Sequence, residues 1–545
     1  MNDKKNIARR KFLESIGKAA GSAAMLRTMA VMGLGLSGCG SSSAGPAAEL
    51  MAVTNPISVD DSNSSKLKSP RPGDWNSRAG IGKSVVILGA GIAGMTSAYE
   101  LQKLGYTVSI LEATNRAGGR NITIRSGDTV TELTSTQTCL FDNNAELYFN
   151  PGPARIAHHH EFLLGYCREF GVALENFTND NRAALLHSSY AFNGKPQVAK
   201  TILADTRGDI SELLALAINQ NSLDQYLTSD DKKNILNALK ITGDLDNSYN
   251  YLGTSRAGYL GQETSGSRER GTAITPNKLQ EYISQSGWQS ALSFSHGINQ
   301  QPAMLQPKGG MDKIGIAFAS RISSYLTLEA VVKQIRKTAN GVKIHYEKNG
   351  VLSEIVADYC ICTIPTTVLK NIPNDFSVNH QQEIEQFQYS SASKLAFQSR
   401  RFWEQNYNIY GGISWTDQPM RQMWYPSNGL GSSSGIIVGA YIWSSSAANT
   451  FTDQTPQQRI LSVLQQGNNL HSEYQSQASR GISVAWKNIP YQLGAYGLSS
   501  ASVLLTPDEN IFFAGEHLSI IKGWQEGAIL SSYHAINEIV KKSST

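Results

Sequence analysis

The stretch from Val85 to Glu112, VVILGAGIAGMTSAYELQKLGYTVSILE, constrains the fold more than any other part of the chain. Four apolar residues, 85–88, predict a buried strand, the glycine-rich segment 89–94 predicts a turn, and 95–104 predict a helix. Residues 106–111 predict a second strand, which ends at Glu112. This order of strand, turn, helix and strand predicts a Rossmann-like α/β domain that binds a dinucleotide.

Each glycine of this turn has a physical reason. Gly89 allows the tight turn, Gly91 lets the backbone approach a phosphate, and Gly94 lets the helix pack closely on the strand. The helix N-terminus would then bind a pyrophosphate. Glu112 can accept hydrogen bonds from both ribose hydroxyls and would repel a 2′-phosphate, which favours FAD or NAD over NADP. The predicted cofactor contacts are Gly89, Gly91, Ile92, Ala93, Gly94 and Glu112.

The first 39 residues predict an export signal. Arg9 and Arg10 begin a twin-arginine pattern, and Leu36-Ser37-Gly38-Cys39 resembles a bacterial lipobox, which would make Cys39 the lipidated first residue of the mature protein. We therefore expect a periplasmic or cell-surface lipoprotein that contacts the membrane only through this lipid. Without residues 1–39, the chain has 41 basic and 42 acidic residues, so its charge favours no nucleic-acid partner.

A second glycine motif follows the predicted nucleotide unit. In Arg116-Ala117-Gly118-Gly119-Arg120 two glycines let the backbone crowd a cofactor, and Arg120 can pair with a phosphate. Together, GAGIAG and EATNRAGGR resemble the flavin-dependent amine oxidases. The segment YFNPGPAR, residues 148–155, is similar to the L-amino acid oxidase branch of that superfamily. The resemblance implies that Gly152, Pro153 and Ala154 pass the flavin and that Arg155 binds the substrate carboxylate, as a planar guanidinium is suited to do.

The same resemblance implies roles for residues farther along the chain. Lys394 matches the lysine that holds a water at flavin N5, and Tyr425 matches a tyrosine that joins Arg155 on the carboxylate. Because side chains alternate on a strand, Trp424 should then face away. Tyr496 and Trp524 match two walls of the substrate cage, and the Gly523 carbonyl would accept from the amine. The remaining cofactor contacts that it implies are Ala113, Arg120, Val332, Glu516, Gly523, Trp524, Gln525 and Ala528.

The resemblance implies an FAD-dependent L-amino acid oxidase, which converts an L-amino acid and O₂ into a 2-oxo acid, ammonia and hydrogen peroxide. The FAD should be non-covalent, because no cysteine follows Cys362 for the attachment that some family members use. Three alternatives remain open at this point. They are a decarboxylating L-amino acid 2-monooxygenase, an amine or polyamine oxidase, and a non-catalytic flavin-binding lipoprotein.

We predict a Rossmann-like FAD-binding domain of the amine-oxidase type, a mixed-sheet substrate domain and a helical insertion. The predicted order is signal 1–39, tether 40–80, FAD-binding domain 81–145, 301–372 and 506–545, substrate domain 146–190 and 373–505, and helical domain 191–300. A homodimer is possible. No metal site is expected, since the three histidines 158–160 would point about 100° apart on a helix and could not converge on one ion.

Overall fold

The computed structural model describes residues 69–260, 271–443 and 445–544. The predicted signal, Cys39 and most of the predicted tether therefore lie outside the described residues. The chain divides into two compact units. One comprises the described part of Arg182–Ile298, and the other comprises the described parts of Asn55–Asn181 and Asn299–Thr545. Within the described ranges, no helix is long and apolar enough to cross a membrane.

The larger unit contains a five-stranded parallel sheet. In spatial order its strands are Leu326–Thr327, Thr107–Leu111, Ser84–Leu88, Tyr359–Cys362 and Ile511–Phe513. The helices Ile92–Lys103, Asp312–Ile322 and Gln525–Ser543 share one hydrophobic core with it. The opposite face of this sheet packs in a second hydrophobic core, which includes Val86 and Leu88. Parallel sheets are normally covered on both faces, and the predicted α/β fold is confirmed.

The glycine-rich turn has the geometry that its sequence predicts. Gly89 has a φ of +100°, which is unfavourable for other residues. A Cβ built on Gly94 would lie 2.0 Å from the carbonyl oxygen of Gly89, so only glycine fits where the helix meets the turn. The helix begins at Ile92, three residues earlier than the sequence pattern indicated. Its N-terminus therefore lies inside the glycine motif itself.

Five strands of the larger unit form an antiparallel sheet. Their order is Ser479–Ala485, Ser393–Arg400, Ser434–Ile442, Gln422–Tyr425 and Gly412–Thr416. Lys394 pairs with Tyr441 on one neighbouring strand and with Val484 on the other. The register shifts between Leu395 and Ala396, which leaves Gly439 without a partner residue. This bulge changes which side chains of the 434–442 strand share a face.

Shorter elements complete the larger unit. A three-stranded antiparallel sheet consists of Val331–Thr338, Gly341–Lys348 and Val351–Ala357, and two strand pairs are Leu174–Thr178 with Ala303–Pro307 and Thr129–Glu132 with Ser135–Thr138. The other α-helices are Glu161–Glu169, Thr366–Leu369, Val378–Gln386, Phe402–Tyr407, Ser445–Asp453, Pro456–Gly467 and Tyr474–Gln477. Single 3₁₀ turns are Ser323–Tyr325, Trp486–Asn488 and Glu516–Leu518.

The unit Arg182–Ile298 is mainly helical. Its helices are Ala199–Asn219, Ser229–Gly243, Leu279–Tyr282 and Ser286–Ser293, with 3₁₀ turns at Phe192–Gly194 and Phe294–His296. Its short strands are Leu185–His187, Gln197–Val198, Tyr259–Leu260 and Thr272–Ala273. The two long helices pack on each other through a core that includes Leu214, Ile218 and Leu239. The predicted domain boundaries stay predictions.

Candidate cofactor and substrate site

The N-terminus of the helix Ile92–Lys103 is built to bind an anion. Gly91 is its N-cap and makes no side-chain capping bond, and a Cβ at Gly91 would meet nothing within 4 Å. The first backbone N–H groups of the helix have no acceptor within the helix, so a phosphate can accept from them. At the end of the next strand, Glu112 Oε2 accepts from the Ala90 N–H at 2.7 Å. Its position beside the turn suits a ribose.

The second glycine loop packs directly on the first. Gly118 N–H donates to the carbonyl of Ala90 at 2.8 Å, and a Cβ on Gly119 would lie 3.1 Å from Cα of Gly91. Arg116 Nη2 donates to the carbonyl of Gly119 at 2.7 Å, which fixes the loop. The close approach, together with a φ of +57°, explains physically why the second loop has glycine at position 119.

The half-buried Arg120 forms an ion pair with the buried Glu516, at 2.9 Å between Nη1 and Oε1. Glu516 also accepts from the backbone N–H groups of Gly523 at 2.7 Å and Gly497 at 3.2 Å. Burial raises the pKa of Glu516, but Arg120, the neighbouring His517 and the Gly523 N–H together outweigh burial and hold the pKa below its usual value. The Glu516 carboxylate thus joins Arg120 of the second glycine loop to Gly523, which lies just before the last helix.

The other predicted cofactor contacts lie around this frame. Ala330 N–H donates to the Glu112 carbonyl at 2.8 Å, which brings the segment containing buried Val332 beside the end of the second strand. Ala113 is half-buried. The Gln525 side chain accepts from Asn121, and Ala528 packs in the core. An open helix N-terminus, an acid at the strand end and glycine-lined backbone fit a dinucleotide such as FAD.

On the substrate side, Arg155 and Lys394 converge on the ring of Trp424. Arg155 Cζ lies 4.6 Å and Lys394 Nζ 4.7 Å from its centroid. Burial lowers the pKa of Arg155 to about 10, so its guanidinium stays charged at neutral pH. Burial and, to a smaller extent, the charge of Arg155 hold the pKa of Lys394 well below its usual value. Both effects favour the neutral amine of Lys394 over its ammonium form.

Lys394 also links the substrate side to the predicted flavin segment. Its Nζ donates to the carbonyls of Gly152 at 2.7 Å and Asn150 at 3.4 Å. A Cβ on Gly152 would lie 2.1 Å from the carbonyl oxygen of Arg120, so this segment and the second glycine loop touch where only glycine fits. Pro153 and Ala154, both half-buried, connect Gly152 to Arg155.

The prediction that Tyr425 joins Arg155 is wrong. The hydroxyl of Tyr425 lies 2.7 Å from Ser414 Oγ and 2.6 Å from His471 Nε2, in a buried group on the opposite face of the sheet. Trp424, which was predicted to face away, is the residue beneath Arg155. The alternation of side chains was predicted correctly, but its starting face was reversed. Pairing of Trp424 with Val438 decides that face, and such pairing is not visible in the local sequence.

Tyr441 takes the place that was predicted for Tyr425. It pairs with Lys394 across the sheet, and its ring centroid lies 5.2 Å from that of Trp424. Burial raises the pKa of Tyr441, with Tyr496 adding to the increase and Arg155 opposing it, so the hydroxyl stays a donor. This residue was not predicted from the sequence. The glycine inside the strand VGAYIW was a usable signal, because an interior glycine often marks a bulge.

The two predicted cage walls lie on adjoining segments. A Cβ on Gly523 would be 3.5 Å from Cβ and Cγ of Tyr496, so the two segments are in contact. Trp524 is the N-cap of the last helix, and its ring contacts His160 edge to face at 5.0 Å. His160 is fully buried, and burial lowers its pKa to about 4. This support for Trp524 was not predicted from the sequence.

The premise used against a metal site at the three histidines is also wrong. The helix begins at Glu161, so His158 and His159 precede it and His160 is its N-cap. The rings of His159 and His160 lie 4.8 Å apart, and that of His158 lies 5.1 Å from His159. In the described ranges, no group of three or more histidine, cysteine or acidic side chains is arranged to hold a metal ion.

Comparisons with known proteins agree with this geometry. The model of the flavin containing amine oxidoreductase family matches residues 92–540. An L-amino-acid oxidase of Siganus canaliculatus is 27% identical over 483 residues, covering 84% of this chain and 85% of that protein. An L-amino-acid oxidase of Mus musculus is 28% identical over 478 residues, covering 83% of this chain and 70% of that protein. A flavin-dependent L-tryptophan oxidase of Lentzea aerocolonigenes is 25% identical over 491 residues, covering 84% of this chain and 98% of that protein.

Solved structures share the fold. Putrescine oxidase bound to putrescine has a TM-score of 0.55 and 18% identity, and the match covers 84% of this chain and 99% of that one. Cyclohexylamine oxidase of Brevibacterium oxydans has a TM-score of 0.55 and 15% identity, and the match covers 85% of this chain and 100% of that one. The glycine loops, the two cations beside Trp424 and the family match over most of the chain lead to one conclusion. This chain belongs to the flavin-containing amine oxidoreductases.

Proposed function

We propose that this protein is an FAD-dependent L-amino acid oxidase that forms 2-oxo acids, ammonia and hydrogen peroxide. One observation carries the proposal: the half-buried Arg155 and the buried Lys394 both contact the ring of the buried Trp424. A partly buried guanidinium loses part of its hydration, and a substrate carboxylate offsets that cost through two parallel hydrogen bonds. Simple amines and polyamines have no such group, which argues against them as substrates.

The residues of the pocket divide the work between binding and orientation. Arg155 would bind the carboxylate, and the hydroxyl of Tyr441 would donate to the same group. Tyr496 and Trp524 would flank the Cα–amine region, with the Gly523 carbonyl accepting from the amine. Holding the amino acid in one orientation presents its Cα–H bond for transfer. Lys394, with its lowered pKa, can hold or accept a proton at Nζ.

The bound flavin supplies a hydride acceptor and returns the electrons to O₂ as hydrogen peroxide. Water then hydrolyses the released imino acid to the 2-oxo acid and ammonia. The oxidases named above support this proposal by sequence. The likeness to putrescine and cyclohexylamine oxidases supports the fold alone, because identity there is 18% or less.

The decisive experiment is anaerobic addition of each L-amino acid to the purified flavoprotein while flavin absorbance is followed. We expect bleaching by some of them, and then peroxide and 2-oxo acid in equal amounts when air is admitted. The D-enantiomers, putrescine and cyclohexylamine are matched controls. An amide product instead of a 2-oxo acid would identify a decarboxylating monooxygenase. Bleaching by amines but by no amino acid would refute the carboxylate pocket.

We further propose non-covalent FAD, export by the twin-arginine route and a lipid on Cys39. The support is in the sequence: no cysteine follows Cys362, and Arg9-Arg10 and the segment ending at Cys39 have the expected patterns. Acid precipitation should release all the flavin. Labelled palmitate should be incorporated into the wild-type protein in cells but not into the Cys39→Ser variant, and equal labelling would contradict the lipid site.

A further inference from the structure

Gln300 contacts the candidate carboxylate-binding arginine. Its side-chain oxygen Oε1 accepts from Nε of Arg155 at 3.3 Å and from Nδ2 of Asn179 at 3.2 Å. Asn179 is 2% exposed and is itself fixed, because its Nδ2 also donates to the carbonyl of Gln301 and its backbone N–H donates to that of Pro302. The Gln300 oxygen is thus held between two donors and cannot rotate away without losing both.

We propose that Gln300 is a positioning residue for carboxylate recognition, whose neutral oxygen orients Arg155 through Nε without cancelling its charge. This inference rests on the proposed function. A guanidinium has five N–H donors in a fixed plane, and a bond at Nε uses one of them. Fixing Nε fixes the plane of the fork, and with it the direction in which a carboxylate can bind through two bonds.

Mutation can test whether the acceptor at position 300 must be uncharged. A glutamate has nearly the shape of a glutamine, but it would pair with Arg155 through a charge-assisted bond. Position 300 is only half-buried, and the adjacent Arg155 guanidinium would keep the new carboxyl ionised at neutral pH. It would then compete with the substrate carboxylate for Arg155 and repel it. Removing the acceptor, as in Gln300→Leu, only loosens the guanidinium and leaves its charge.

The experiment measures binding of benzoate, a carboxylate without an amine, through the change that it causes in the flavin spectrum, together with steady-state kinetics. In Gln300→Glu we expect the benzoate Kd and the amino acid KM to rise about 10- to 100-fold, with kcat within about threefold. In Gln300→Leu the same constants should rise less than tenfold. Gln301→Glu places the same charge one residue away and should change both constants less than twofold.

Two results would overturn the inference while amino acid oxidation by the wild type stands. One is a benzoate Kd in Gln300→Glu within twofold of the wild type. The other is Gln300→Leu weakening binding as much as Gln300→Glu, because a purely structural role makes loss of the hydrogen bonds decisive and charge irrelevant. If the wild-type protein oxidises no amino acid and binds no benzoate, the proposed function fails, and the inference fails with it.

Discussion

Replacing Tyr441 and Tyr425 separately by phenylalanine tests which face of the 422–425 strand points toward the substrate. Each change removes one hydroxyl and leaves the ring. A hydrogen bond to a charged group is worth about 1.5–3 kcal/mol, and about 1.4 kcal/mol corresponds to tenfold. We therefore expect Tyr441→Phe to raise the KM for the best amino acid about 10- to 100-fold, since its hydroxyl would donate to the substrate carboxylate beside Arg155.

Tyr425→Phe should affect stability instead. Its hydroxyl bonds to Ser414 and His471, and both partners would lose a buried bond, at a cost of about 1–3 kcal/mol. For a chain of this size, that cost lowers the midpoint of thermal unfolding by about 1–3 °C. The amino acid KM should stay within about twofold of the wild type.

The assay is peroxide release at varied amino acid concentration, with flavin content measured for each variant. Equal flavin content shows that both variants bind the cofactor, so a change in KM reports on the substrate pocket. The reasoning is refuted if Tyr425→Phe raises the KM and Tyr441→Phe does not, because the strand would then present the opposite face.

Three further changes test other parts of the structure. Arg155→Met should raise the KM for amino acids by at least about 100-fold at unchanged flavin content, and unchanged kinetics would reject its role. Gly94→Ala should yield protein without bound flavin, because a Cβ would lie 2.0 Å from the Gly89 carbonyl oxygen; a normal visible spectrum would contradict this. Burial raises the pKa of Glu526 to about 7, so the stability that this group contributes should be fully present below its unfolded pKa and be lost as pH rises through about 7. Glu526→Gln should flatten that fall, by up to ~3 kcal/mol in unfolding free energy, and a profile as steep as that of the wild type would count against it.

The nucleotide-binding part of the fold was predictable from the sequence because its causes are local. A positive φ at Gly89 and the close contact at Gly94 depend on residues within one turn. The order of strand, turn and helix can therefore be predicted from the local residue pattern. Arg155 was also identified from a short motif, and the structure brings it beside Lys394.

The sequence by itself determined the α/β class, the cofactor-binding turn and the residue types available for a carboxylate pocket. Only the tertiary structure decided which strand face meets the substrate, because a bulge at Gly439 and pairing with a distant strand set the register. It also brought Gln300 to Arg155 across 145 residues and Glu516 to Arg120 across 396. Such contacts depend on how the strands pair and pack, and no local pattern of residues encodes them.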